Sequence, residues 1–355
     1  MSTNVRQDRE LVIKDFLARH GHGASVRSHL TGDASARAYE TIRPDDSAAE
    51  IILMNAPAQP DGPIIRDGKP YSQIAHLAEN MNAFAGIATL LSKAGFRAPK
   101  IYAQNLDAGL LLIENLGTEG IVDGQRRPIE ERYEESVALL AELHAIEWET
   151  QITVDENTTH VIPGYDHEAM MIEVDLLPSW YAEYKLDRAL NETELNAFSS
   201  IWSNLINELR NAEKSLVLRD YHSPNIIWRD EAEGKDRIGL IDFQDAVIGP
   251  SSYDVASIVQ DARIDIPKEL ESRLVAHYCA CRKPPFDEQA FHQSLAIMQA
   301  QRATKILGIF VRLSKRDGKH GYLAHLPRIE DYLGRACAHP SLAQLDNWMK
   351  TVFPN

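Results

Sequence analysis

Apolar positions along the chain follow two rhythms. Over residues 8–20 they fall at helical spacing, with Leu11, Phe16 and Leu17 expected on one side of a short amphipathic helix. HLTGDASARAYETI (His29 to Ile42) reads as a small-residue turn feeding a strand, and EIILMNAP (Glu50 to Pro57) as a second strand stopped by its proline. DGPIIRDGKP (61–70) concentrates Gly, Pro and charge and is expected to be a surface loop. Residues 72–94 return to helical spacing and close near Gly95, and GLLLIENLG (Gly109 to Gly117) is an apolar strand. Strands around one helix predict a small antiparallel-sheet lobe.

After Gly117 the rhythm is mostly helical: Val137, Leu140, Ala141 and His144 share one spacing, as do Phe198, Ile201, Trp202, Leu205 and Leu209. Short strands around residues 216–241 interrupt this half, and helices resume from about Leu270. The expected division is a lobe over 1–117 and a larger helical lobe over 118–355, an α+β fold.

Composition narrows the class. With 355 residues, 44% hydrophobic and 25% charged, the chain can bury a large core in two lobes. A net charge of -15 disfavours bulk nucleic acid and anionic membrane surfaces as partners. Cys279, Cys281 and Cys337 are too few for a disulfide framework and lack a His pair at zinc spacing, so they read as ordinary thiols. No signal-peptide core and no spanning apolar run is visible, so the expected compartment is the cytoplasm. The oligomeric state leaves no trace.

The candidate chemistry lies in LRDYHSPNIIW (Leu218 to Trp228) and GLIDFQDA (Gly239 to Ala246). Pro224 forces a turn between two apolar strands, so Asp220, His222 and Asn225 share one loop. A hairpin from Ile226–Trp228 to Ile238–Ile241 brings Asp242 to Asn225. A carboxylate and an amide oxygen are hard ligands suited to Mg²⁺, which leaves Asp220 to orient a hydroxyl nucleophile.

These residues resemble the aminoglycoside phosphotransferase-like kinases. Asp220 and Asn225 have the spacing of that family's catalytic loop, Asp242 stands in its Ile-Asp-Phe element, and Asp254 in SYDVASI matches the carboxylate that braces the loop. The family's leading His is Leu218 here, a departure at a supporting position. GDASAR, LMNAP, LLIENLG, RDYHSPN, GLIDFQDA, VQDARIDIP and KILGIFVRLSKRDGK, in this order, look like the anomeric kinases of bacterial cell-wall recycling, which phosphorylate the C1 hydroxyl of N-acetylmuramate and N-acetylglucosamine.

The resemblance implies a two-lobed, protein-kinase-like fold, with ATP as donor and Mg²⁺ as cofactor. It implies Asp220 as the catalytic carboxylate and Asn225 and Asp242 as metal ligands. Gly32 and Ser35 would form a phosphate-covering turn, although such turns are often purely structural. The usual strand lysine falls near Met54, and Arg37 could supply the missing charge. Glu114 to Leu116 would be the hinge that meets adenine. Glu173, Asp175 and Arg263 lie where the family lines its acceptor pocket, and an arginine there either meets a lactyl carboxylate or forms a surface salt bridge. His222 either touches substrate or bonds within the loop; Gln244 and Asp245 either reach metal or substrate or form a solvated turn. His144 is expected to pack. Trp180 and Tyr181 pack or stack on a sugar. Two other readings stand: a kinase of another small alcohol, such as an aminoglycoside or choline, and an inactive nucleotide-binding scaffold, suggested by Met54 and Leu218.

Overall fold

The computed structural model describes residues 3–30, 37–44, 50–58 and 62–354. Helix α1 (Thr3–Arg19) precedes strands β1 (Val26–Leu30), β2 (Ala38–Arg43) and β3 (Ile51–Asn55), the hairpin β4 (Ile64–Arg66) and β5 (Lys69–Pro70), helices α2 (Tyr71–Ile74) and α3 (Met81–Lys93), and strands β6 (Ile101–Asn105) and β7 (Leu110–Glu114). The main sheet is antiparallel in the order β1-β2-β3-β7-β6. Period-two alternation splits its side chains: Leu53, Leu110 and Leu112 face α1, while Met54, Leu111 and Ile113 join the main core with Phe84 and Ile87 of α3.

Three expectations change here. Leu11 is exposed, because the buried stripe of α1 is Ile13, Phe16 and Leu17, spaced three and four apart. Residues 61–70 do not form a featureless loop: Asp67 and Gly68 take positive φ (49° and 73°) and close the β4–β5 hairpin. The helix expected over 72–94 is two helices. His76 at φ 53° breaks it, and Asn80 restarts it by accepting the Asn82 N–H at 3.0 Å.

The remainder is mainly helical. α4 (Glu130–His144) is followed by the β8–β9 hairpin (Gln151–Thr153, Thr159–Val161), α5 (His167–Val174), α6 (Ala182–Leu186) and α7 (Glu192–Glu208). Then come β10 (Lys214–Val217), β11 (Ile226–Trp228), β12 (Ile238–Leu240), β13 (Val247–Pro250), α8 (Ser252–Val259), α9 (Lys268–Cys281), α10 (Glu288–Asp317), α11 (Leu326–Cys337) and α12 (Ala343–Val352). Helix starts carry their own caps: Asp166 accepts the Ala169 N–H at 2.8 Å, and Asn191 with Glu194 forms a reciprocal box opening α7. Among the described residues no helix is long and apolar enough to cross a membrane.

α10 is the spine of this half. Its 30 residues are buried around much of the circumference and pack on α5, α8 and α11. Gly308 sets its approach to the turn after α5, since a Cβ there would lie 2.3 Å from the Leu176 backbone. Gly308→Ala is therefore expected to cost about 1–3 kcal/mol through overpacking, read as a lowered urea midpoint at unchanged slope.

Candidate active site

Two antiparallel strand pairs and the start of α8 build the site. β10 pairs with β13, and β11 with β12, so the loops 218–225 and 241–246 leave adjacent strands on the same side. Arg219 and Asp242 take left-handed φ (68° and 61°), which turns the backbone sharply beside each functional carboxylate. The Asn225 carboxamide donates to the Asp220 carbonyl at 3.0 Å and lies 3.4 Å from Asp242 Oδ2. The expected convergence of Asp220, Asn225 and Asp242 is present.

Buried carboxylates hold the first loop from behind. Asp254, fully buried, accepts the Leu218 N–H at 2.6 Å and the Arg219 N–H at 2.9 Å. Asp261 accepts the Ser223 N–H at 2.8 Å and the Arg263 N–H at 2.8 Å. His144 packs below, its Nδ1 2.9 Å from the Tyr278 hydroxyl and its Nε2 4.0 Å from Asp254.

The second loop is tied to the first lobe. Phe243 stacks on Phe84 of α3, centroids 5.0 Å apart, and Asp245 accepts the Ala78 N–H at 2.6 Å. Burial pushes the Asp245 carboxyl upward, and Asp220 adds to this, against Arg219, the Ala78 N–H and Arg37. Arg37 reaches Asp242 Oδ1 at 3.1 Å from the first lobe, and Gln244 donates to the same oxygen at 3.0 Å. The donor set fits a hard divalent cation: Asp242 is partly exposed, Asn225 adds an amide oxygen, and a cationic guanidinium already lies against Asp242.

Asp220 is half-buried, with Oδ1 4.0 Å from His222 Nε2. Burial alone would raise its pKa, but His222 when charged, together with Lys305, Arg302 and Arg219, outweighs it and holds the carboxyl below its usual range. It is therefore an ionised acceptor at neutral pH. His222 is shifted downward by burial first, with Arg302 and Arg263 adding to this against Asp261 and Asp220. Its Nδ1 is buried with no partner among the described residues.

Other expected site residues land differently. Gly32 and Ser35 lie outside the described residues. Met54 is fully buried in the main core, so its side chain offers the nucleotide no surface. The Glu114 carboxylate pairs with Arg97 and accepts the Lys100 N–H at 3.2 Å, and its own N–H donates to the Lys100 carbonyl at 2.8 Å, which leaves the hinge to the backbone beyond it. Leu116 follows with its N–H and C=O in no hydrogen bond among the described residues, its side chain lying against Gly239. Asp175 pairs with Arg66 at 2.7 Å, and burial holds its pKa up against that pairing. Tyr181 packs, donating to Glu330 at 2.6 Å.

Glu173 requires a correction. It was expected to line the acceptor pocket, yet it is 1% exposed and its oxygens are occupied by Arg219, Tyr165, Gln301 and Lys305. It is the counter-ion of a buried network that includes Arg219, next to Asp220. Arg219 also donates to the Ala75 carbonyl at 2.8 Å, so the network reaches the break between α2 and α3. Sequence reasoning missed Arg219, Asp261, Arg302 and Lys305. Arg219 had one signal, a basic residue directly before Asp220 in an otherwise apolar approach.

The network gives a pH dependence. Burial would raise the Glu173 pKa, but Lys305, Arg219, Tyr165 and Gln301 overcome it and hold the group at about 2, against 4.5 for an ordinary Glu. A depressed folded-state pKa means this stability is full above about 4.5 and is lost as pH falls toward about 2, roughly 3 kcal/mol in all. Urea unfolding of wild type and Glu173→Gln from pH 7 to 3 checks this. The gap between the two proteins is expected to narrow below pH 4.5.

Comparison with known proteins agrees with this geometry. Residues 27–292 match the phosphotransferase enzyme family. The N-acetylmuramate/N-acetylglucosamine kinase of Caulobacter vibrioides is 32% identical over 359 residues, covering 99% of this chain and 98% of that protein. The kinase of the same name from Pseudomonas putida is 30% identical, covering 94% of this chain and 91% of its own. Among solved structures, choline kinase LicA from Streptococcus pneumoniae superposes with a TM-score of 0.61 at 15% identity, covering 92% of this chain and 99% of that one. An ADP-bound aminoglycoside phosphotransferase gives 0.52 at 15% identity, covering 88% and 94%. With a kinase-like fold, a carboxylate loop braced from behind and a metal-competent Asp–Asn pair, the chain belongs to the phosphotransferase enzyme family.

Proposed function

We propose that this phosphotransferase moves the γ-phosphoryl group of ATP to the anomeric C1 hydroxyl of N-acetylmuramate, N-acetylglucosamine or both, in peptidoglycan recycling in the cytoplasm. The carrying observation is Asp220, ionised and half-exposed beside the Asn225–Asp242 pair, in a chain matched end to end by a kinase of those sugars. Residues 1–117 serve as the nucleotide lobe and 118–355 as the catalytic and acceptor lobe. A choline or aminoglycoside acceptor has only fold-level support, at 15% identity.

Asp220 orients the sugar hydroxyl and accepts its proton as the oxygen attacks phosphorus. An anomeric hydroxyl is more acidic than an ordinary alcohol, so a carboxylate is an adequate partner. Asp242 and the Asn225 amide oxygen would hold Mg²⁺, which supplies charge neutralisation at the nucleotide phosphates. Arg37 supplies a further positive charge from the first lobe, in place of the strand lysine that Met54 replaces. Leu116 meets the adenine edge through its unpaired backbone groups. His222 and Arg263, close enough for Arg263 to shift the His222 pKa, face the acceptor. Alignment and charge neutralisation account for most of such a reaction, so a few fixed groups suffice.

Asp220→Asn is expected to lose about a thousandfold in kcat on N-acetyl sugars while retaining nucleotide binding. Turnover by the wild type with kanamycin or choline alone would discard the sugar assignment. Arg37→Ala is expected to raise the ATP KM about tenfold. Unchanged nucleotide affinity and turnover in that variant would remove Arg37 from the phosphate site.

A further inference from the structure

The inner face of α10 carries cations toward the catalytic loop. Gln301 and Lys305, one turn apart, both bond Glu173, at 2.9 and 3.2 Å, and Lys305 also donates to the Tyr253 hydroxyl at 2.6 Å. Arg302, between them, is different. It is 5% exposed, its Nε is buried without a partner, and it makes no hydrogen bond or ion pair among the described residues. The Glu173 carboxylate bonded by its helix neighbours is already shared by Arg219, Lys305, Gln301 and Tyr165.

A buried cation without a counter-ion is costly, and native chains rarely keep one unless something else supplies the charge. The field of Arg302 falls on Asp220 and His222, lowering the pKa of both. Oδ1 of Asp242 already accepts from Arg37 and Gln244. α10 packs on α5, α8 and α11, so Arg302 belongs to the helical lobe, the one proposed above to hold the acceptor.

We propose that Arg302 is the anion receptor of the acceptor subsite, where its guanidinium takes a carboxylate carried by the sugar. The inference rests on the amino-sugar reading above. Of the two sugars, N-acetylmuramate carries a carboxylate on its 3-O-lactyl ether and N-acetylglucosamine carries none. A planar guanidinium grips a carboxylate through two parallel N–H groups, which a lysine cannot reproduce. With the neutral sugar Arg302 stays unpaired, so the residue favours the acid over the neutral acceptor.

The test is the ratio of kcat/KM for N-acetylmuramate to that for N-acetylglucosamine, in wild type, R302Q and R302K at saturating ATP. R302Q is expected to lower the ratio at least about 30-fold. R302K keeps the charge without the fork and is expected to lower it about fivefold. It also provides the reading if R302Q does not fold. A ratio unchanged in both variants overturns the proposal, however far the individual rates fall, because Arg302 would then serve the phosphates or the scaffold. Wild type inactive on both sugars but active on another alcohol fails the amino-sugar reading first, and this inference with it.

Discussion

One carboxylate fixes the geometry on which the rest depends. Asp254, on the first turn of α8, accepts two consecutive N–H groups from the loop carrying Asp220. Those N–H groups leave the ladder where β10 ends, and Arg219 then turns into left-handed backbone. Without an acceptor they would be buried and unsatisfied. Asp261 repeats the device at Ser223. The Asp220 carboxylate is thus presented by backbone that carboxylates on following segments hold in place, an arrangement suited to phosphoryl transfer, where placement matters more than reactivity.

The charge pattern around this loop is layered. Glu173 sits at the bottom, shared by Arg219 and Lys305, and anchors a cationic floor. Burial alone would raise the Asp220 pKa, but His222 when charged, with Lys305, Arg302 and Arg219, outweighs it and holds the carboxyl below its usual range. Arg37 approaches Asp242 from the opposite lobe. A chain of net charge -15 therefore gathers Arg37, Arg219 and Lys305 around the loops carrying Asp220 and Asp242.

Much of this was legible in the sequence. The spacing of Asp220 to Asn225, the hairpin that returns Asp242 and the packing role of His144 all follow from local pattern, because turns and short hairpins are decided by nearby residues. The Asp67-Gly68 hairpin was equally local and was overlooked behind its charge and proline content. The burial of Glu173 could not be read, because its partners come from Tyr165, Arg219, Gln301 and Lys305, on segments far apart in the chain. The same holds for Arg302, which has no hydrogen-bond or ion-pair partner among the described residues. The break at His76 was hidden because 75–80 takes its shape from long-range bonds, Arg219 to Ala75 and Ala78 to Asp245.

Those bonds have a mechanical consequence. The loop bearing Asp242 is fastened to α3 by the Phe243–Phe84 stack, and to the chain just before α3 by the Asp245–Ala78 bond. The two lobes are therefore tied together within a few residues of Asp242. Arg37, immediately before β2, bonds Asp242 as well, so the first lobe grips residues 242–245 at three points and a change in its angle is passed directly to that loop.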